Sequence, residues 1–173
     1  AADAGAAAAV AGLPEHRSQD VRRTAIAALP CVAAVGDEQS CAAAASLVKH
    51  QNTGIRLSAI DALVALSQME DEGTIDAVGI CLEDDEEKVR IAAIQALAKV
   101  ASKGNKRATT VAASRLKSKF SDVRQSAVKA LATVADHGND QAISALSACL
   151  KESNVDVKRE VVATLNALGY EVA

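Results

Sequence analysis

The chain has 173 residues, half of them apolar, with only Phe120 and Tyr170 aromatic and a formal net charge of −3. That length suits one compact domain or one short repeat array, and a core built of Ala, Val, Ile and Leu points to helices. The mild acidic balance excludes a general pull toward nucleic acid or anionic membrane, and no apolar run reaches the roughly 18 residues of a membrane span.

In chain order, the segment Ala1 to Val10 carries neither Met nor a basic stretch, so it does not read as an intact signal peptide. It is expected to come from a processed chain or from a window of a longer one. Asp3 then opens a first helix in an Ala-rich run, and a second helix is predicted over 20–35. Asp37 opens the next first helix, followed by a second helix over 54–69. Asp71 opens the third pair, with its second helix over 88–103. Asn105 and Asn139 open the last two pairs, whose second helices fall at 122–137 and 156–169. Each short polar side chain can accept from a free N–H of the first helical turn. Gly36, Gly104 and Gly138 precede three of these caps and suit a left-handed close of the preceding helix. Glu70 takes that slot in the second unit, so that helix is expected to end differently. Ser18, Asn52, Ser121 and Asn154 are the candidate caps of the second helices.

These elements repeat at a spacing of 34 without insertion or deletion. The spacing links Val21, Ile55, Val89, Val123 and Val157, and likewise Leu29, Leu63, Leu97, Leu131 and Leu165. Ala25, Ala59, Ala93, Ala127 and Val161 form a third series. The apolar offsets within a unit trace one wide helical face. One helical pair cannot bury such a face alone, whereas stacked pairs can. The expected architecture is an all-α, right-handed α-solenoid. Its five helix–turn–helix repeats fall at about 3–36, 37–70, 71–104, 105–138 and 139–172, in a single domain over 1–173.

The segments 20–29 (Asp-Val-Arg-Arg-Thr-Ala-Ile-Ala-Ala-Leu) and 122–131 (Asp-Val-Arg-Gln-Ser-Ala-Val-Lys-Ala-Leu) resemble the second helix of short HEAT repeats, including the subgroup named after phycobilisome lyases. The resemblance covers essentially the whole chain. Gly54 and Lys88 in the Asp slot, and Lys158 in the Arg slot, depart from the pattern and interrupt an Asp/Arg ladder. The scarcity of aromatics separates the chain from tetratricopeptide repeats, and no ankyrin-type turn is present. The resemblance implies a non-catalytic protein–protein interaction scaffold or adaptor, a subunit or segment of a larger assembly. The alternative that it implies is a bilin-lyase-related protein acting on a phycobiliprotein-type chromophore. The expected partner is another protein or protein complex, with no nucleic acid and no membrane insertion. Neither terminal unit shows a dedicated polar cap, so end-to-end docking through the terminal repeats is a further expectation.

The cationic series Arg22, Arg56, Arg90, Arg124 and Lys158 lies at the margin of the apolar face. Its stems should pack at the core edge while the heads reach carbonyls or carboxylates of a neighbouring unit, a structural inter-repeat ladder. The acidic run Glu83-Asp84-Asp85-Glu86-Glu87 falls in a turn and aligns with Lys49, Lys117 and Lys119 in adjacent units, so it reads as a solvated edge. The histidines His16, His50 and His137 read as scattered over different repeat positions. No phosphate loop, nucleophile elbow or metal-ligand spacing occurs, and no cofactor is expected.

Cys81 and Cys149 share a repeat position two units apart, too far for a disulfide. A bridge between Cys31 and Cys41 is left open, and a reducing intracellular compartment is favoured: the cytoplasm, or an organelle interior if the N-terminus is processed. The outward face of the second helices is the expected partner surface, carrying Arg23, Leu57, Asp61, Val64, Ile91, Gln95, Gln125, Lys129 and Arg159. Leu57 and Ile91 fill the same outward slot in adjacent units, and neighbouring apolar groups of this kind suggest contact.

Overall fold

The computed structural model describes residues 3–13 and 16–172, so the first two residues of the opening Ala-rich segment lie outside the described residues. Among the described residues ten α-helices alternate as short first and longer second members of five pairs: α1 (Ala4–Ala11) with α2 (Gln19–Val32), α3 (Glu38–Ser46) with α4 (Thr53–Leu66), α5 (Glu72–Ile80) with α6 (Glu87–Val100), α7 (Lys106–Ser114) with α8 (Ser121–Val134), and α9 (Asp140–Ser147) with α10 (Val155–Ala167). The described residues form no strand. Short 3-10 turns at Cys81–Glu83 and Arg115–Lys117 extend α5 and α7.

The first helices start where short polar caps demand it. Asp3, Asp37, Asp71, Asn105 and Asn139 each accept at least one N–H of the following turn. Among the second helices, Asn52 and Asn154 cap with their side chains. Ser18 occupies the cap position without a side-chain bond, and Ser121 lies just inside its helix behind Phe120.

The second helices end about three residues earlier than the apolar pattern suggests. Ala33, Ser67, Ala101 and Ala135 are extended and stop the helical ladder there. The chain then turns through Gly36, Glu70, Gly104 and Gly138, all at positive φ between 67° and 86°. Each of these four residues donates its N–H to a carbonyl at the end of the next unit's second helix. The acceptors are, in order, Leu66, Val100, Val134 and Leu168, at 2.6, 2.7, 2.8 and 2.9 Å. Glu70 thus adopts the left-handed conformation of its glycine counterparts, because the bond to Val100 requires that orientation. The expectation that this unit would close differently is corrected.

The core is continuous along the stack. Leu29, Leu63, Leu97, Leu131 and Leu165 are fully buried, as are Ile55, Val89, Ala59, Ala93, Ala127 and Val161. Gly79 on α5 faces Val111 on α7 so closely that a Cβ would collide with the valine methyl. Glycine there permits the close approach of two first helices. The second helices contact one another more extensively than the first helices do at every joint. That is expected of the inner row of a curved stack.

Candidate interaction surface and inter-repeat ladder

The outward slots of the second helices form one row of five units. Arg23, Asp61, Ile91, Gln95, Lys129 and Arg159 are exposed there, Ile91 to 46%. Leu57, Val64 and Gln125 are half-buried. Leu57 and Val64 lean on the core, so the expected apolar pair is reduced to an exposed Ile91 beside a partly covered Leu57. A groove of about 340 Å³ between α2 and α4, lined by Ala27, Pro30, Ser58, Asp61 and Ala65, opens on the same face. Arg23 and Arg159 are each engaged by an acidic neighbour one turn away, Asp20 at 3.8 Å and Asp156 at 2.9 Å.

Sequence reasoning did not single out exposed apolar groups outside this row. Val35 and Met69 are each 64% exposed and stand 34 residues apart in the turns between units. Their shared register was the available signal. At the first unit, Val10, Leu13, Val21, Thr24, Ala25 and Ala28 line an apolar groove of about 360 Å³. Val21 and Ala28 remain partly exposed, whereas their counterparts in later units are buried.

The arginine series forms a second constellation, on the edge where first helices turn into second helices. In each of the first four units one guanidinium nitrogen, Nη1, donates to two backbone carbonyls of its own turn. For Arg56 these are His50 and Gln51 at 2.8 and 3.2 Å, for Arg90 Asp84 and Asp85 at 2.6 and 3.1 Å, and for Arg124 Ser118 and Lys119 at 2.9 and 3.1 Å. The rest of the fork reaches into the next unit. Arg56 meets both oxygens of Asp84 at 2.7 Å, and Arg124 meets both oxygens of Glu152 at 2.6 and 2.8 Å. Arg90 meets Asp122 at 3.1 Å. The Lys158 side chain is exposed and, among the described residues, forms no hydrogen bond or ion pair. Forks of this kind are fixed by their planar geometry.

Asp84 is therefore not part of a solvated edge: its side chain is only 10% exposed and receives Arg56. Glu83 fits the edge reading better, pairing with Arg115 of the next unit at 2.8 Å. Asp84 and Glu152 were missed as ladder partners because their repeat slot holds five residues of four types: His16, His50, Asp84, Ser118 and Glu152. The histidines are thus not all at different positions; His16 and His50 are 34 apart. What unites the slot is acceptance. His16 and His50 take the N–H two residues on through Nδ1, at 3.1 and 3.0 Å. Asp84, Ser118 and Glu152 take it through oxygen, at 2.9, 3.3 and 2.9 Å. Arg124 and the Asn154 N–H together hold the Glu152 carboxyl down at about 2.

All four cysteines are free thiols. Cys81 is buried, and burial pushes its thiol up to about 12. Among the described residues no group of three or more His, Cys, Asp or Glu gathers to hold a metal ion, and no helix is long and apolar enough to cross a membrane.

Stacked helical pairs joined by a repeating ladder define an α-solenoid. The chain belongs to the HEAT repeats family, whose model matches residues 6–98 and 109–173. Among solved structures it is similar to the archaeal HEAT-like repeats protein from Thermococcus onnurineus NA1, with 18% identity and a TM-score of 0.59, over 99% of this chain and 74% of that one. It is also similar to a designed armadillo repeat protein in complex with the peptide (KR)4, with 20% identity and a TM-score of 0.55, over 95% of this chain and 82% of that one. At these identities the likeness concerns the fold. No curated protein matches the chain. HEAT and armadillo folds commonly mediate protein–protein interaction.

Proposed function

We propose that the chain is a non-catalytic scaffold that holds a protein partner along the row of second helices, as a subunit or segment of a larger assembly. The observation that carries this reading is the exposure of Ile91 beside half-buried Leu57 in the middle of that row, flanked by Asp61, Gln95, Lys129 and Arg159. An apolar centre with a polar rim is the usual anatomy of a protein contact. A regular inner row also suits an extended segment, which can meet successive units with successive side chains. The peptide-bound armadillo design offers a precedent for that mode on a similar fold. The chromophore-lyase alternative gains no specific support from the fold.

The test is a pull-down from the native source with the intact chain and with Ile91→Glu, alongside circular dichroism. A stoichiometric protein partner, lost in the variant at unchanged helicity, is the expected result. Retention of the partner by a folded Ile91→Glu chain rejects this face as the contact.

A further inference from the structure

The four joints between adjacent units repeat one arrangement. At the second and fourth joints the acceptor slot holds Asp84 and Glu152, and each takes the arginine of the preceding unit with both oxygens. At the third joint the slot holds Ser118, and Asp122 from the start of α8 supplies the carboxylate instead. At the first joint both sources are lost together. His50 stands in the slot of Asp84 and Glu152, and Gly54 stands where Asp122 does.

Arg22 is nevertheless held like its counterparts. Its Nη1 donates to the carbonyls of His16 and Arg17 at 2.5 and 3.0 Å. Its Nε is enclosed and has no acceptor. The Nε atoms of Arg56, Arg90 and Arg115 are enclosed too, but those guanidiniums have carboxylate oxygens at 2.7, 3.1 and 2.8 Å. No described acidic side chain lies within ion-pair distance of Arg22. His50 cannot fill the role. Its Nδ1 already accepts the Asn52 N–H, so the neutral ring carries its proton on Nε2 and adds a donor. Burial, then Arg22 and Arg56, push its pKa down, which keeps the ring neutral. The joint therefore gathers guanidinium and imidazole donors without a carboxylate among the described residues.

We infer that the Arg22 fork, with His50 beside it, is a binding site for a carboxylate, from an Asp, Glu or C-terminal group of a polypeptide or from a small free acid. Asp84 and Glu152 show within the same molecule how such a group sits on this fork. Arg22 is half-buried, so part of it stays in reach of solvent. The site lies on the turn edge, apart from the row of second helices, and does not depend on the scaffold reading.

The test titrates the whole chain with sodium acetate, and separately with a capped pentapeptide carrying one Glu, at constant ionic strength made up with sodium chloride. Nitrogen-edited NMR follows the Nε–H of Arg22, with the already occupied Arg124 as internal control. The expected result is a saturable shift at Arg22, at least about threefold larger than at Arg124, since charge-assisted forks dominate such contacts. A response at lower peptide than acetate concentration assigns the site to polypeptide acids, and an equal response assigns it to small acids. His50→Asp, which restores the internal carboxylate, should abolish the shift, and Arg22→Gln should abolish the accompanying shift of the His50 ring. An Arg22 signal that merely tracks Arg124, a response retained in His50→Asp, or a His50 shift retained in Arg22→Gln would overturn the inference.

Discussion

Two of the arginine forks that clamp adjacent units differ in surroundings more than in geometry. Arg56 and Asp84 join the second and third units with side chains 11% and 10% exposed. Arg107 and Asp76 join the third and fourth units along the first-helix row, also through two contacts, with side chains 46% and 41% exposed. The inner pair is tied at its other end to the carbonyls of His50 and Gln51, and Asp84 also holds the turn at Glu86. The outer pair has Glu72 at 3.7 Å from Arg107 and feels the charge of Arg115 at Asp76, with no backbone carbonyl tied to its arginine among the described residues. Water screens and competes for the outer fork, whereas the inner one is a buried network in which each group depends on the others.

The largest effect follows from breaking the inner fork. Arg56→Ala should cost about 3–5 kcal/mol, because it strands a buried carboxylate. Urea denaturation measures this, and Arg56→Met with Asp84→Asn should recover most of it, since Asn keeps an acceptor for the Glu86 N–H. A loss under about 1 kcal/mol for Arg56→Ala, the range of an exposed pair, would erase the distinction between the two forks.

The next effect is acid sensitivity at the fourth joint. The Glu152 carboxyl falls from its ordinary 4.5 to about 2 in the folded chain. A depressed carboxyl gives stability that is complete above the unfolded value and is lost as pH falls from about 4.5 toward about 2. Thermal melts across that window should show the loss, and Glu152→Gln should flatten that component.

A smaller effect belongs to the backbone link that accompanies the inner fork. Glu70→Gly should stabilise the array by up to about 1 kcal/mol, because relief of a left-handed residue that keeps its N–H bond to Val100 outweighs loss of the exposed side-chain bond from Ser102. The change in urea midpoint decides it. Smallest of all, the cost of Arg107→Ala should fall far below that of Arg56→Ala and should shrink further in high salt. A loss comparable with that of Arg56→Ala would show that exposure does not rank these links.

The stack itself was legible because the same apolar offsets recur in every unit and only a layered helical core satisfies them all. The caps of the first helices were legible as well, since Asp and Asn recur at a fixed spacing and their chemistry has one obvious use. The ends of the second helices were not. Apolar residues such as Val35 continue the helical pattern past the point where extended Ala33 stops it. The ladder was half legible: the arginines recur by type, but their acceptors recur only by role. Asp84 was hidden inside an acidic run, and Glu152 sits among dissimilar neighbours. The partner surface was placed on the outward slots from helical geometry alone, and how far Leu57 and Val64 lean inward depends on packing that spacing does not encode.

The residue two positions before each second-helix entry performs two separable tasks. Toward its own turn it needs only an acceptor, and imidazole, carboxylate and hydroxyl all supply one. Toward the preceding unit its charge closes the clamp, unless, as at the third joint, Asp122 supplies the carboxylate from the start of the helix. One substitution can therefore loosen or tighten a single seam while the local loop keeps its shape. An array wired in this way can be stiffened at one end and left compliant at the other without redesign of any helix.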